Sequence, residues 1–406
     1  MSWRQSGLAT IAAMTAIAPN TLTCIEDLRQ LARRRVPRMF YDYVDSGSWT
    51  ETTYRANEHD FARIRLRQRV AVDMDNRSTA VKMVGQDAAM PVAIAPTGLT
   101  GMQHADGEIL AARAAERFGV PFTLSTMSIC SIEDVAAATT KPFWFQLYLM
   151  RDRGFSASLI ERAKAARCSA LILTVDAPLL GRRYKDVRNG LAAPPQFWRP
   201  RVLADLMTHP RWCLGMLGTR RRSFGNIVGH APGVKDVSAV ANWKNLEVDP
   251  ALSWDDIAWV RRQWGGPMIL KGLMDAEDIG RAARMGLDAV VVSNHGGRQL
   301  DGAPSTIEVL PRAVEAVQAV PGARTEIWLD SGIRSGQDVL KALALGAHGA
   351  LIGRAWLYGL AAQGRGGVTR CLEILAEDLE LSMALCGCTD VTQLGRHVLV
   401  PGTFPT

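Results

Sequence analysis

The sequence predicts an α/β fold in which eight strand-helix units close into a barrel, and three observations carry that expectation. From Pro91 onward, short apolar runs recur at intervals of about 25 to 35 residues, each bounded by Gly, Pro or polar residues. The stretches between them place apolar residues at helical spacing. Polar or basic residues stand at the end of every run, where a (β/α)8 TIM barrel gathers its chemistry.

The strands are expected at Val92 to Ala95, Phe122 to Thr126, Phe143 to Leu149, Ala170 to Val175, Met268 to Lys271, Ala289 to Ser293, Glu326 to Asp330 and Ala350 to Gly353. Runs such as Ala289 to Val292 suit parallel strands buried on both faces. Helices are expected at 108–118, 131–138, 156–167, 254–264, 275–285, 306–318 and 335–345. Residues 1–90 form an N-terminal helical segment packing on the barrel, which itself spans 91–400. In that preface one helix runs from about Thr23 through Ile25, Leu28 and Leu31 towards Pro37. A second carries Met39 to Val44 up to Ser46-Gly47. Tyr41 and Tyr43, two apart, cannot share a helix face, so one should enter the core and the other point elsewhere.

Residues 177–252, between the fourth and fifth strands, are far longer than an ordinary barrel loop and read as a lid or other functional insertion. The middle of this insertion, 197–224, mixes Trp198, Leu203, Leu206, Met207, Trp212, Leu214, Met216 and Leu217 with Arg199, Arg201, Arg211, Arg220, Arg221 and Arg222. Such a segment suits the surface of an anionic membrane. A lid packed on the barrel with its arginines in water has the same composition, and both readings are open.

Composition narrows the class. Of 406 residues, 48% are hydrophobic and 21% charged, which suits one large globular domain with extensions. The net charge of +7 is spread along the chain, favouring anionic substrates or a membrane surface, and no nucleic-acid-binding signature is present. The seven cysteines (Cys24, Cys130, Cys168, Cys213, Cys371, Cys386 and Cys388) form no CxxC pair, so a reducing compartment is expected and no disulfide framework or metal site. No apolar stretch is long enough to cross a membrane. Residues 8–18, apolar after Arg4, weakly imitate a secretory signal, but nothing downstream looks secreted.

The chemistry centres on Val291 to Gly302, which sets His295 and Arg298 on one turn after an apolar run. A histidine there can act as a base near neutral pH, and the planar fork of Arg298 fits a carboxylate. Gly296 and Gly297 let backbone pass close to a flat ligand. After the seventh and eighth strands, Asp330-Ser331-Gly332-Ile333-Arg334 and Gly353-Arg354 place glycine and arginine where barrels commonly bind phosphate.

These motifs, with YDYVDSG, APTG, LSTMS, WFQLY, TVDAP, GRRYKD, LKG and SNHGGRQLDG, resemble the FMN-dependent L-2-hydroxy-acid oxidising family, in particular its bacterial flavin-linked L-lactate dehydrogenases. The resemblance runs from about Leu22 to Val400. It implies FMN as cofactor and oxidation of an L-2-hydroxy acid, L-lactate first, to the 2-oxo acid. It implies His295 as the base, with Asp176 stabilising its imidazolium. Arg298 and Arg183, with the Tyr43 hydroxyl, would hold the substrate carboxylate, and Tyr148 would face the substrate hydroxyl. Lys271 would sit by the flavin where negative charge collects on reduction. Ser125, Gln146, Thr174, Ser293 and the backbone of Pro96, Thr97 and Gly98 would bind the isoalloxazine. Asp330, Gly332, Arg334, Gly353 and Arg354 would take the ribityl phosphate. Removal of the α proton and removal of the hydroxyl proton during hydride transfer require the same constellation.

Gly98 and Met127 differ from the alanine and tryptophan of plant glycolate oxidase, which points to a quinone rather than oxygen as electron acceptor. Met127 and Leu180 are expected to line the side-chain pocket, where (S)-mandelate or a longer 2-hydroxy acid is the alternative substrate and an oxygen-using oxidase the alternative activity. The resemblance also implies a homotetramer, cytoplasmic or peripheral on the inner face of a bacterial plasma membrane. Two other classes stay open on the residues alone. A phosphate-binding isomerase or aldolase would use Lys271 as a Schiff-base lysine, and a non-catalytic flavin-binding protein would keep only the phosphate site.

Overall fold

The computed structural model describes residues 22–191, 196, 198–231, 233–234 and 248–405. The apolar stretch 8–18, Phe197 and much of the second half of the insertion lie outside these residues.

A short antiparallel hairpin, β1 (Val81–Met83) and β2 (Gln86–Ala88), precedes eight parallel strands. These are β3 (Val92–Ile94), β4 (Thr123–Ser125), β5 (Trp144–Leu147), β6 (Ala170–Thr174), β7 (Met268–Leu273), β8 (Ala289–Val292), β9 (Glu326–Leu329) and β10 (Gly349–Ile352). They pair in the order β3-β10-β9-β8-β7-β6-β5-β4, and a parallel bridge from Ile94 to Phe122 closes the ring. Each strand lies within two residues of its expected position. The expected helices are present as well, and Ser131, Ser253, Ser305 and Ser335 each cap one by accepting a hydrogen bond from the amide three residues on.

Alternation along the strands divides the core in two. Val92, Ile94, Leu171, Leu173, Leu270, Val290 and Val292 face outward into the layer shared with the helices, whereas Ala93, Trp144, Ile172, Ile269, Val291, Trp328 and Leu351 fill the barrel. Trp144 and Trp328 stack inside it with ring centroids 5.1 Å apart. Met83, from the hairpin, joins this inner cluster.

The N-terminal helices, Ile25–Arg35 and Arg38–Val44, lay Ile25, Leu28, Leu31, Met39, Phe40 and Val44 into the outer core. Tyr41 is buried and Tyr43 only half-buried, as their two-residue offset requires. Absent from the expectation, outside the insertion, were the hairpin, a helix at Thr52–Arg63, and the long helix Arg354–Leu385, which breaks at Gln363 and Gly364, besides short 3-10 turns. No helix among the described residues is long and apolar enough to cross a membrane.

The insertion carries the short helices Tyr184–Arg188, Pro200–Met207 and Pro210–Gly218. Trp212 anchors it: its ring stacks on Phe40 at 5.1 Å and its indole N–H donates to the Met102 carbonyl at 2.9 Å. Arg221 binds Asp106, the N-cap of the helix Gly107–Phe118, and Asp134, in the first turn of the helix Ile132–Ala138. Trp198, Leu203, Met207, Leu214 and Leu217 nevertheless stand between 49% and 77% exposed, so part of the segment packs on the rest of the protein and part presents apolar side chains outward.

Candidate active site

The same alternation that fills the barrel also builds its mouth. Two residues beyond inward-facing Ile172, Ile269, Val291 and Trp328 come Thr174, Lys271, Ser293 and Asp330. One strand face thus changes from apolar to polar at its C-terminal end. Lys271 Nζ lies 2.8 Å from Asp330 Oδ2 and donates to the Ser293 hydroxyl at 2.9 Å. The lysine is buried, which alone would favour its neutral form, but Asp330 and Asp176 hold its pKa above the ordinary value. A lysine held charged in this way is a fixed cation and not the free amine a Schiff base requires.

His295 Nδ1 lies 2.8 Å from Asp176 Oδ1. Burial works against the Asp176 charge, but His295 and Lys271 bring its pKa below the usual carboxylate value. An ionised carboxylate only accepts, so Nδ1 carries the proton and Nε2 keeps a lone pair. Burial also lowers the His295 pKa, with Lys271 and Arg183 adding to the effect against Asp176, and the ring is neutral and basic at pH 7. The backbone is specialised to allow this: His295 has φ 57°, an uncommon value for a side-chain-bearing residue, and Gly296 continues the left-handed turn at 68°. At Gly272, φ 107°, an added Cβ would come within 2.6 Å of the Asp176 side chain, so only glycine lets β7 pass this close to the carboxylate.

Arg298 and Arg183 complete the group. Arg298 donates to the carbonyls of Tyr43 and Ser46, and its guanidinium lies 4.7 Å from the centre of the Tyr43 ring. Burial and the neighbouring Arg183 push its pKa down to about 9. A guanidinium keeps its proton at neutral pH, so this crowding amounts to a demand for an anion. Arg298 Nη2, Arg183 Nε, Asp176 Oδ2 and Gln146 Nε2 are all buried without a hydrogen-bond partner. Unpaired buried polar atoms of this kind, here three N–H donors and one carboxylate acceptor, mark places where a ligand completes the site. Half-buried Tyr148 keeps its phenol proton, because burial and then the Asp176 charge raise its pKa.

The remaining expected residues divide into two sets. Ser125 donates to Gln146 Oε1 at 3.0 Å, leaving the Gln146 amide N–H groups unused. Thr97 is half-buried and Thr174 buried, and a Cβ on Gly98 would lie 3.7 Å from the Tyr43 hydroxyl and 3.0 Å from the Met127 Cβ. Of the two arginines expected at the phosphate, Arg354 has its guanidinium on the Val44 and Ser46 carbonyls and no carboxylate partner among the described residues, whereas Arg334 is paired with Glu58 at 2.7 Å. Asp330, grouped with the phosphate residues on resemblance, has its carboxylate on Lys271 and the Ser331 hydroxyl. A carboxylate there serves a cation or hydroxyl rather than a phosphate. Gly332 brings backbone against Asn57, while a Cβ on Gly353 would meet no atom within 4 Å. The unused amide, the hydroxyl-lined wall and the cations Lys271 and Arg354 fit a flat, phosphorylated cofactor such as FMN.

Leu180, expected to line the side-chain pocket, is 75% exposed. The strap after Asp176 turns outward because Gln299 donates to the carbonyls of Asp176 and Leu179 and accepts from the Gly181 amide. Met127 is half-buried as a pocket residue should be. Gln299, Ser46 and the buried Asn57-Asn294 pair, whose amides bond at 2.9 and 2.8 Å, were missed. Gln299 lay within a motif already singled out, whereas nothing near Asn57 announced its partner.

Comparisons with known proteins identify the family. An L-lactate dehydrogenase of Stenotrophomonas maltophilia is 44% identical over 376 residues, covering 92% of this chain and 97% of that one. One of Acinetobacter baylyi is 45% identical over 379 residues, 92% of this chain and 96% of that one. Among solved structures, that of the monotopic membrane protein (S)-mandelate dehydrogenase superposes with a TM-score of 0.88 at 37% identity, covering 93% of this chain and 99% of that one. A mandelate oxidase with (S)-2-phenylpropionate gives 0.77 at 36% identity, covering 93% and 98%. Residues 32–401 match the family described as FMN-dependent dehydrogenase, and the chain belongs to that family.

Proposed function

We propose that this enzyme oxidises an L-2-hydroxy acid to the 2-oxo acid, with L-lactate as the leading substrate and a membrane quinone as electron acceptor. The observation that carries this reading is the neutral His295, oriented by Asp176, together with half-buried Arg298 and Arg183, each of which has a buried nitrogen without a hydrogen-bond partner. When bound, FMN supplies the acceptor for the two electrons leaving the α carbon. Arg298 and Arg183, with the Tyr43 hydroxyl, hold the substrate carboxylate by charge-assisted hydrogen bonds. His295 Nε2 takes the proton, and Asp176 stabilises the imidazolium that results. Tyr148, kept protonated, faces the substrate hydroxyl. Ser125, Gln146, Thr174, Ser293 and the backbone of Pro96, Thr97 and Gly98 would hold the ring system above the fixed charge of Lys271. Gly332, Arg334, Gly353 and Arg354 would hold the phosphate, with Asp330 serving Lys271.

The exposed apolar side chains of 198–217 support docking at the inner face of the plasma membrane, where a quinone is reached. Residues 1–90 would act as the helical cover of the barrel and 177–252 as its membrane-facing lid. Light scattering on the purified protein tests the homotetramer implied by the resemblance. The exposure of Leu180 favours a second substrate reading, an aryl acid such as (S)-mandelate, because it leaves the side-chain pocket open.

Anaerobic mixing with L-lactate, D-lactate and (S)-mandelate, followed at the flavin absorbance band, tests the assignment. Fast bleaching by one L or S acid, with rapid recovery on adding a quinone analogue and slow recovery in oxygen, is the expected result. A band that no 2-hydroxy acid bleaches would overturn it.

A further inference from the structure

One buried carboxylate outside the reaction holds the backbone on which Arg298 and Arg354 rest. Asp45 Oδ1 accepts from Arg29 Nε at 3.1 Å, the Tyr54 hydroxyl at 3.0 Å and the Tyr358 hydroxyl at 2.8 Å. Its Oδ2 accepts from Arg29 Nη2 at 3.0 Å and the Tyr41 hydroxyl at 2.9 Å. Burial alone would raise this pKa, but Arg29 and the tyrosine hydroxyls bring it down to about 2, so the group is charged and fully satisfied.

The carbonyls of the same turn point the other way. Tyr43 and Ser46 accept from Arg298, while Val44 and Ser46 accept from Arg354 at 2.8 and 2.7 Å. A single oxygen, that of Ser46, therefore serves both guanidinium groups. The Asp45 carbonyl accepts from Lys185 of the insertion at 3.0 Å. Two of the tyrosines extend the link, since Arg354 lies 4.5 Å from the Tyr54 ring centre and Arg334 5.8 Å from that of Tyr358.

We propose that Asp45 is a positioning residue that makes the turn 43–46 a coupling element, through which a phosphate on Arg354 and a carboxylate on Arg298 are bound cooperatively. This rests on the assignment of those two arginines under Proposed function. Each ligand needs the turn in one conformation, so the ordering met by the first is not met again by the second. The coupling is reciprocal: carboxylate slows loss of the cofactor, and the loaded cofactor site tightens the carboxylate.

The test is FMN release from the holoenzyme after large dilution, followed as the rise in free-flavin fluorescence, with and without saturating oxalate, a carboxylate with no α hydrogen. Oxalate should slow release about fivefold or more in the native protein. In Asp45→Asn that ratio should fall below about twofold, and in Tyr41→Phe, which removes one hydroxyl from Asp45 and touches neither arginine, it should be intermediate. A residue that merely supports the fold would weaken both ligands and leave the ratio unchanged. A native ratio in Asp45→Asn, or in Tyr41→Phe should Asp45→Asn not fold, overturns the coupling. Oxalate and FMN that both bind the native protein with a ratio of one overturn the coupling alone. A native protein whose flavin spectrum oxalate does not perturb overturns the carboxylate site, and the coupling with it.

Discussion

The barrel mouth and the insertion that rises from it carry opposite liabilities. At the mouth, polar groups are buried and left short of partners: Arg298 Nη2, Arg183 Nε and Gln146 Nε2 have none. On the insertion, apolar groups are exposed and short of cover, among them Trp198, Met207 and Leu214. Each departs from the rule that polar groups face water and apolar groups avoid it. On the reading proposed above, the mouth takes an anion and a flat cofactor, and the insertion meets a lipid-like surface. Chemistry and location would then belong to separate parts of one chain, and substitutions in one should leave the other's property intact.

The largest separation should come from the base. His295→Gln keeps a polar side chain on the turn but cannot take a proton, so kcat should fall by about 10²- to 10⁴-fold while FMN stays bound and membrane partition stays native. Asp176→Asn comes next. Loss of a charge-assisted hydrogen bond worth about 1.5–3 kcal/mol to the imidazolium should lower turnover by roughly 10- to 150-fold.

The same variant has a signed pH effect. The base works only when neutral, so kcat/KM is lost as pH falls through the His295 pKa, which burial places below the ordinary value of 6.5. Asp176 raises that pKa, so removing its charge should move the acid limb to still lower pH. A pH profile with the limb moved upward would show that the pair is not organised as described. Arg298→Lys retains charge but not the fork, and about 2 kcal/mol of carboxylate binding, roughly 30-fold in KM or in the Kd for oxalate, should go with it. The smallest effect on turnover is expected on the insertion. Leu203→Glu with Met207→Glu should leave turnover with a water-soluble dye within about twofold. Partition onto anionic vesicles should fall at least tenfold, because each buried apolar side chain is worth about 1.5–3 kcal/mol. Native sedimentation with vesicles would remove these two side chains from the proposed contact.

Particular residues show how much was readable in advance. The eight strands were found because a strand buried on both faces must be apolar throughout, as Ala289 to Val292 is. Several of the expected helix starts coincide with Ser131, Ser253, Ser305 and Ser335, which cap the helices locally. The helix Thr52–Arg63 was missed because its first turn is tied by Asp301, which accepts from Thr50, Thr52 and Thr53 across about 250 residues of sequence. The hairpin was missed because its strands are three residues each, and its contribution, Met83 inside the barrel, depends on a cavity built later in the chain.

Chain order and composition by themselves determined the repeating unit and the polar strand ends, since each follows from local burial, and motifs a few residues long supplied the candidates for base, aspartate and arginines. Tertiary structure alone decided which charges are neutralised. Arg334 is paired with Glu58 while Arg354 is not, Asp330 is paired with Lys271, and Ser46 serves two arginines at once. Electrostatic partnership depends on distances of a few ångströms between residues hundreds apart, and a linear sequence carries no such distances.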